Sequence, residues 1–182
     1  MIAYHKEANV RLKPLSLLAG LVSASGSWAE APTPCLMSQG WTQAICKAWN
    51  DTPALSTALA QSGWAKNDRG RGVKVLQLYR KDCKGGPRAE LRIAAQDGKA
   101  WCVYGGKAET EALDPAVDYV MSADTKYWDQ IGRGKYKFPT ALSEGYLDLQ
   151  GPQDEALANV NAFNSLMSLI FNVSSCVSTC PE

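Results

Sequence analysis

Residues 123–151 read ADTKYWDQIGRGKYKFPTALSEGYLDLQG, running from Ala123 to Gly151. Behind a lead-in at Ala123 or Asp124, the spacing of Tyr127, Trp128 and Ile131 puts them on one face and predicts a short amphipathic helix. Gly132 and Gly134 stop it, and Phe138, Pro139 and Leu142 form an irregular apolar link. Between two glycines, Gly145-Tyr146-Leu147-Asp148-Leu149-Gln150-Gly151 alternates as a half-buried strand does. A helix, a loop and a strand result, each with apolar side chains and none with an evident catalytic group.

Working outward toward the N-terminus, the alternation of residues 73–79 predicts a strand. The turn Lys84-Gly85-Gly86-Pro87 leads to a second strand over 88–94, and Asp97-Gly98 marks a hairpin into a third over 99–104. Residues 116–121 read as a fourth. The expectation is an antiparallel meander, wet on one face and covered on the other, with the strand of the opening stretch added by a helical crossover. Before it, Ser38 caps a helix carrying Trp41, Ala44, Ile45, Ala48 and Trp49 on one side. Thr52-Pro53 starts another, with Leu55, Ala58 and Leu59 inward and Gly63 as its end. Trp41, Trp49 and Trp64 read as packing residues rather than a sugar platform, because nothing polar recurs beside them. After the stretch, Asp154-Glu155 opens a predicted long helix to about Val173. Its apolar stripe, Ala156, Val160, Phe163, Met167 and Ile170, is widened by Leu157, Leu166, Leu169 and Phe171.

The chain has 182 residues, 46% of them apolar, enough for one ordinary domain. Lys6, Arg11 and Lys13, the apolar run 15–22 and the small residues of Ser27-Trp28-Ala29 have the layout of a secretory signal peptide over 1–29. The apolar run is too short to span a membrane. The expectation is therefore a leader cleaved near Ala29, a single domain over 30–182 and a periplasmic or secreted location. Losing Lys6, Arg11, Lys13 and Glu7 takes 19 basic and 18 acidic residues to 16 and 17, so attraction to nucleic acid is not the theme. The only histidine, His5, leaves with the leader, which excludes Ser-His-Asp and Cys-His catalysis in the mature chain.

Six cysteines follow the leader: Cys35, Cys46, Cys83, Cys102, Cys176 and Cys180. An even count behind an export signal reads as disulfides, with fifteen pairings open. Joining sequence neighbours, Cys35 with Cys46, Cys83 with Cys102 and Cys176 with Cys180, is the simplest expectation. Only the last pair is clustered and no C-x-x-C occurs, which disfavours zinc and thioredoxin-like chemistry. The basic loops 68–72 and 133–137 match no phosphate-binding pattern and read as solvated surface, with anionic lipid headgroups second. Asn172-Val173-Ser174 is a glycosylation acceptor only in a eukaryotic source.

The order of elements resembles the sterol carrier protein type 2 domain. In that family an aromatic residue six before a glycine is followed by G-x10-G-x5-G around the last strand. Here Trp128 precedes Gly134 by six, Ile131 precedes it by three, and Gly134, Gly145 and Gly151 keep both intervals. The match extends with less detail from about Val73 to Ile170. The export signal, the cysteines, Pro152 after the last glycine and the tail beyond Ile170 depart from the pattern, and the signal and cysteines exclude a peroxisomal or cytosolic setting. The resemblance implies an α+β fold: a five-stranded, mainly antiparallel sheet covered on one face by helices, with a hydrophobic tunnel taking sterols, fatty acyl chains or phospholipids. On this reading Trp128, Ile131, Phe138, Leu142, Tyr146, Val160, Phe163, Met167 and Ile170 are the lining candidates, each of which could equally be plain core. Burying a ~14-carbon chain yields a gross term of about 11 kcal/mol before binding costs.

The function expected is non-catalytic binding or transport of an apolar lipid, with no cofactor or metal, no nucleic acid and transient membrane contact. The alternative is an accessory module whose apolar groove receives a partner or a second subunit. An enzyme using Asp118, Asp124, Glu144 or Asp148 is the remaining reading; these lie scattered over predicted turns and exposed strand positions, with no acid-base pair.

Overall fold

The computed structural model describes residues 32–181. The expected leader, its expected cleavage near Ala29 and His5 lie outside them. Helix α1 (Gln39–Asn50) begins at Ser38, whose hydroxyl accepts from the Trp41 N–H, and two short helices follow, α2 (Pro53–Ser56) and α3 (Ala58–Gln61). Strands β1 (Lys74–Arg80), β2 (Ala89–Gln96), β3 (Lys99–Lys107) and β4 (Tyr119–Ala123) come next. Then follow α4 (Thr125–Gly132), α5 (Phe138–Ser143), β5 (Asp148–Gln150), α6 (Gln153–Ala158) and α7 (Val160–Asn172). Trp41, Trp49 and Trp64 are all buried, as packing residues should be.

The sheet order is β3-β2-β1-β4-β5, with β1 and β4 parallel and the other pairings antiparallel. The sheet is thus mixed and mainly antiparallel, but the expected meander is wrong at its fourth strand. Two polar side chains explain why. Asn50 at the end of α1 both donates to the Cys102 carbonyl (3.0 Å) and accepts from the Cys102 N–H (2.8 Å), as a neighbouring strand would. The Trp49 indole adds a bond to the Ala100 carbonyl at 2.8 Å, so the free edge of β3 is taken by a helix. The chain instead returns to β1, and Glu90 anchors the connection. Its buried carboxylate accepts from the backbone N–H groups of Glu109 and Thr110 and from the Thr110 hydroxyl, as well as from Gln77 and Arg92.

Other boundaries moved for local reasons. The apolar link at 138–142 is helix α5, with Pro139 in its first turn. Residues 116–118 belong to a turn closed by the Asp114 carbonyl, so β4 starts at Tyr119. The last strand shrinks to Asp148–Gln150. At its end, Gly151 has φ +120°, and a Cβ there would meet the Asp118 carbonyl oxygen at 2.2 Å. The predicted long C-terminal helix breaks at Asn159, whose side chain donates to the Glu155 carbonyl at 2.8 Å.

The disulfides are Cys35–Cys176, Cys46–Cys102 and Cys83–Cys180, none of them between sequence neighbours. Cys46 faces β3 from α1, within reach of Cys102. Cys35 lies before α1 in a two-residue parallel bridge to the tail, where Leu36 N–H donates to Cys176 O (2.9 Å) and Cys176 N–H to Pro34 O (3.0 Å). Each pair therefore joins segments brought together by the fold.

The core lies between sheet and helices. Its centre is a run of rings: Trp49 to Trp64 (6.3 Å), Trp64 to Tyr119 (5.9 Å), Tyr119 to Phe163 (5.5 Å) and Phe163 to Phe138 (4.9 Å). Such pairs add about 0.5–1.5 kcal/mol each beyond area burial.

Candidate functional site

A cleft of about 350 Å³ opens between α4, α7 and the C-terminal tail. Its apolar lining includes Leu36, Trp128 and Ile170, all buried, and its exposed rim includes Phe171 and Val177. Trp128 is oriented by its indole N–H, which donates to the Tyr79 carbonyl at 3.2 Å. The volume falls at the lower end of small-molecule sites, about 300–1,000 Å³.

One cation serves this rim. The Arg133 guanidinium stacks over the Phe171 ring at 4.4 Å and donates to both oxygens of Asp129 at 2.9 and 3.0 Å. The tail wall, with Ser174, Ser175 and Val177, is fastened from beneath. Arg80, almost fully buried, donates to the carbonyls of Thr179 (2.7 Å) and Val177 (3.0 Å) and to the Thr125 hydroxyl (2.5 Å). Cys35–Cys176 and Cys83–Cys180 tie the same segment covalently.

Of the nine lining candidates, the structure brings Trp128 and Ile170 to this cleft. Ile131, Phe138, Phe163 and Met167 are buried in the continuous core behind it, and Leu142 packs against that core half-buried. Tyr146 is half-buried in a surface stack, 4.6 Å from both Tyr127 and Tyr136. Val160 is half-buried at the start of α7. The interval where the tunnel was expected holds the packed rings of the core. Arg133, read as solvated surface, is exposed and lends its guanidinium to the rim; sequence reasoning missed Val177, whose position depends on how the tail is tied.

The carboxylates have separate neighbours. Asp118 is buried, where the sequence pointed to a turn or an exposed position. Burial alone would raise its pKa, yet two bonds from Arg71 (2.8 and 2.6 Å) and the backbone N–H groups of Val75 and Asp114 hold it below the usual carboxylate range. Asp124 precedes α4, Glu144 is exposed, and Asp148 pairs with Lys81 at 2.9 Å.

A solved structure shares this architecture. A crystal structure of sterol carrier protein 2 superposes with a TM-score of 0.51 at 21% identity, over 76% of this chain and 98% of the other. The chain has a sterol carrier protein 2-type fold. A conserved hypothetical protein of Thermus thermophilus, with a suggested sterol carrier assignment, gives 0.48 at 19% identity, covering 82% of this chain and 99% of its own. Apo sterol carrier protein 2 from Yarrowia lipolytica gives 0.38 at 15%, covering 71% and 88%. No protein-family model matches the sequence, and no curated protein does. On this fold the chain carries three disulfides and a fastened tail that walls the cleft.

Proposed function

We propose that the chain is a non-catalytic carrier of an apolar lipid in an exported compartment. The cleft between α4 and α7 carries this reading. Trp128 and Ile170 offer apolar floor, while Phe171 and Val177, 37% and 51% exposed, extend it to the surface beside one guanidinium. That layout suits a ligand with an apolar body and a polar end, collected from a membrane surface. Ile131, Phe138, Phe163 and Met167 form the wall that a longer chain would have to open, with Leu142, Tyr146 and Val160 at its margins. The fold, shared with a protein named for carrying sterol, supports the ligand class. Three disulfides support an oxidising compartment, and no helix among the described residues is long and apolar enough to cross a membrane. The pairing of Asp118 with Arg71 and of Asp148 with Lys81, each a structural partner, supports a non-catalytic role.

Native mass spectrometry of the protein from its own host, followed by organic extraction, tests this. A retained lipid is expected, with binding of a fluorescent fatty acid or sterol weakened in Trp128→Ala. Protein that is empty, ignores both probes and instead associates through the Phe171 and Val177 face would overturn it.

A further inference from the structure

Under α6 the fold encloses one of its own carboxylates in a recess of donors and rings. The Lys74 ammonium, with a side chain 0% exposed, donates to Glu155 Oε2 at 2.6 Å. The Tyr119 hydroxyl donates to the same oxygen, and Asn67 Nδ2 donates to Oε1 at 2.8 Å. Tyr119 is held in turn by the Trp64 indole N–H at 3.1 Å. Lys74 also lies 4.5 Å from the Trp64 ring centroid and 5.3 Å from that of Tyr119. The apolar floor continues from these rings to Phe163 and Phe138.

The element that brings Glu155 here is weakly attached. Helix α6 has six residues, and only Ala156 among them is buried. It lies between Pro152 and the break at Asn159, and neither caps a helix with its side chain. Three hydrogen bonds to one carboxylate thus make up most of its polar attachment to the rest of the fold.

We propose that Lys74, Tyr119 and Asn67 form a binding site for the carboxylate head of an amphiphile, and that Glu155 occupies it as a built-in stand-in. Turning α6 outward about Asn159 exchanges one carboxylate for another. Lys74 is never left buried without a partner, Glu155 passes into water, and the ligand's apolar part lies against Trp64 and Phe163. The charge balance of the recess is unchanged, so the cost of opening is confined to α6. The site is distinct from the α4–α7 cleft: Phe163 and Ile170 are seven residues apart on α7, about 10 Å along its axis.

Full-length protein is titrated with octanoate and, as the neutral-headed match, octanol. Glu155→Gln is expected to bind octanoate at least tenfold more tightly than the unmodified chain, with its thermal midpoint rising with octanoate and not with octanol. Lys74→Met should abolish this gain. In the unmodified chain, saturating octanoate should speed amide exchange over residues 153–158, a readout that needs no variant to fold. Equal responses to octanoate and octanol, equal affinity in Glu155→Gln and the unmodified chain, no binding to either, or unchanged exchange over 153–158 would each overturn the proposal. Octanoate binding lost in Trp128→Ala and kept in Lys74→Met would place the ligand in the α4–α7 cleft, and would overturn it too.

Discussion

Gly132 of α4 lies against Phe171 of α7 so closely that a Cβ on the glycine would meet the Phe171 Cβ at 2.3 Å and the Met167 carbonyl oxygen at 3.2 Å. Both contacts are with atoms that cannot swing aside. Gly132→Ala should therefore destabilise the fold by about 1–3 kcal/mol, read as a lower urea midpoint. Phe171→Ala should not rescue it, because alanine keeps the Cβ that causes the overlap. Recovery in the double variant would show that the helices separate more easily than this packing requires.

Acid should unfold the protein through Glu90 and Asp118. Burial alone would raise both pKa values, but the hydrogen bonds each carboxylate accepts hold both below their ordinary range. The unfolded chain therefore binds protons at a higher pH than the folded one. Their contribution is complete above the unfolded pKa values, about pH 5 and higher, and is lost as pH falls through the folded values. Urea midpoints between about pH 7 and pH 3 should fall, and Glu90→Gln or Asp118→Asn should flatten the slope. Each substitution should also cost about 1–3 kcal/mol near neutrality, as buried donors lose an acceptor.

Reduction should proceed from the tail inward. Cys180 is exposed, and Cys35 and Cys176 are half-buried, whereas Cys46 and Cys102 are both buried between α1 and β3. Graded dithiothreitol followed by alkylation should yield protein with four labelled cysteines before six. Losing Cys83–Cys180 alone, as the Ser pair, should cost about 2–4 kcal/mol and weaken any probe bound in the α4–α7 cleft, since the tail is its wall. A first label at Cys46 or Cys102 would contradict the order.

Asn50→Ala should expose the edge of β3. It removes two hydrogen bonds to Cys102 and leaves its N–H and C=O without the strand-like partner. A loss of about 1–3 kcal/mol is expected, with faster amide exchange at Cys102 and a greater tendency to associate through that edge. Unchanged exchange at Cys102 would mean that Trp49 and the disulfide hold α1 in place without Asn50.

The parts of this fold that are periodic were legible in the sequence. The α1 and α4 faces, the strand alternation and the Asp97-Gly98 hairpin, with both residues at positive φ, follow from spacing and turn chemistry. The position of β4 was not, because it is decided by Asn50 and Glu90, polar residues that look solvated until their backbone partners are known. Helix α5 is too short, at six residues, for its period to register. The apolar stripe runs straight through the Asn159 break, since a stripe records which side is inward and not whether the helix is continuous. For the site, Trp128 and Ile170 could be read from helical spacing. Arg133 and Val177 acquire their places from the α4–α7 contact and the doubly tied tail, both long-range features.

The cysteine connectivity also bears on how the chain can mature. In chain order the cysteines are 35, 46, 83, 102, 176 and 180, and no native bond joins a consecutive pair. If the chain is exported N-terminus first, as proposed, Cys35 and Cys46 meet the oxidant before Cys102 and Cys176, and the first pair available is a non-native one. Correct maturation then requires either that the sheet assembles before oxidation or that an isomerase reshuffles the bonds afterwards. Yield of the native protein should therefore depend more on disulfide exchange than on the supply of oxidant.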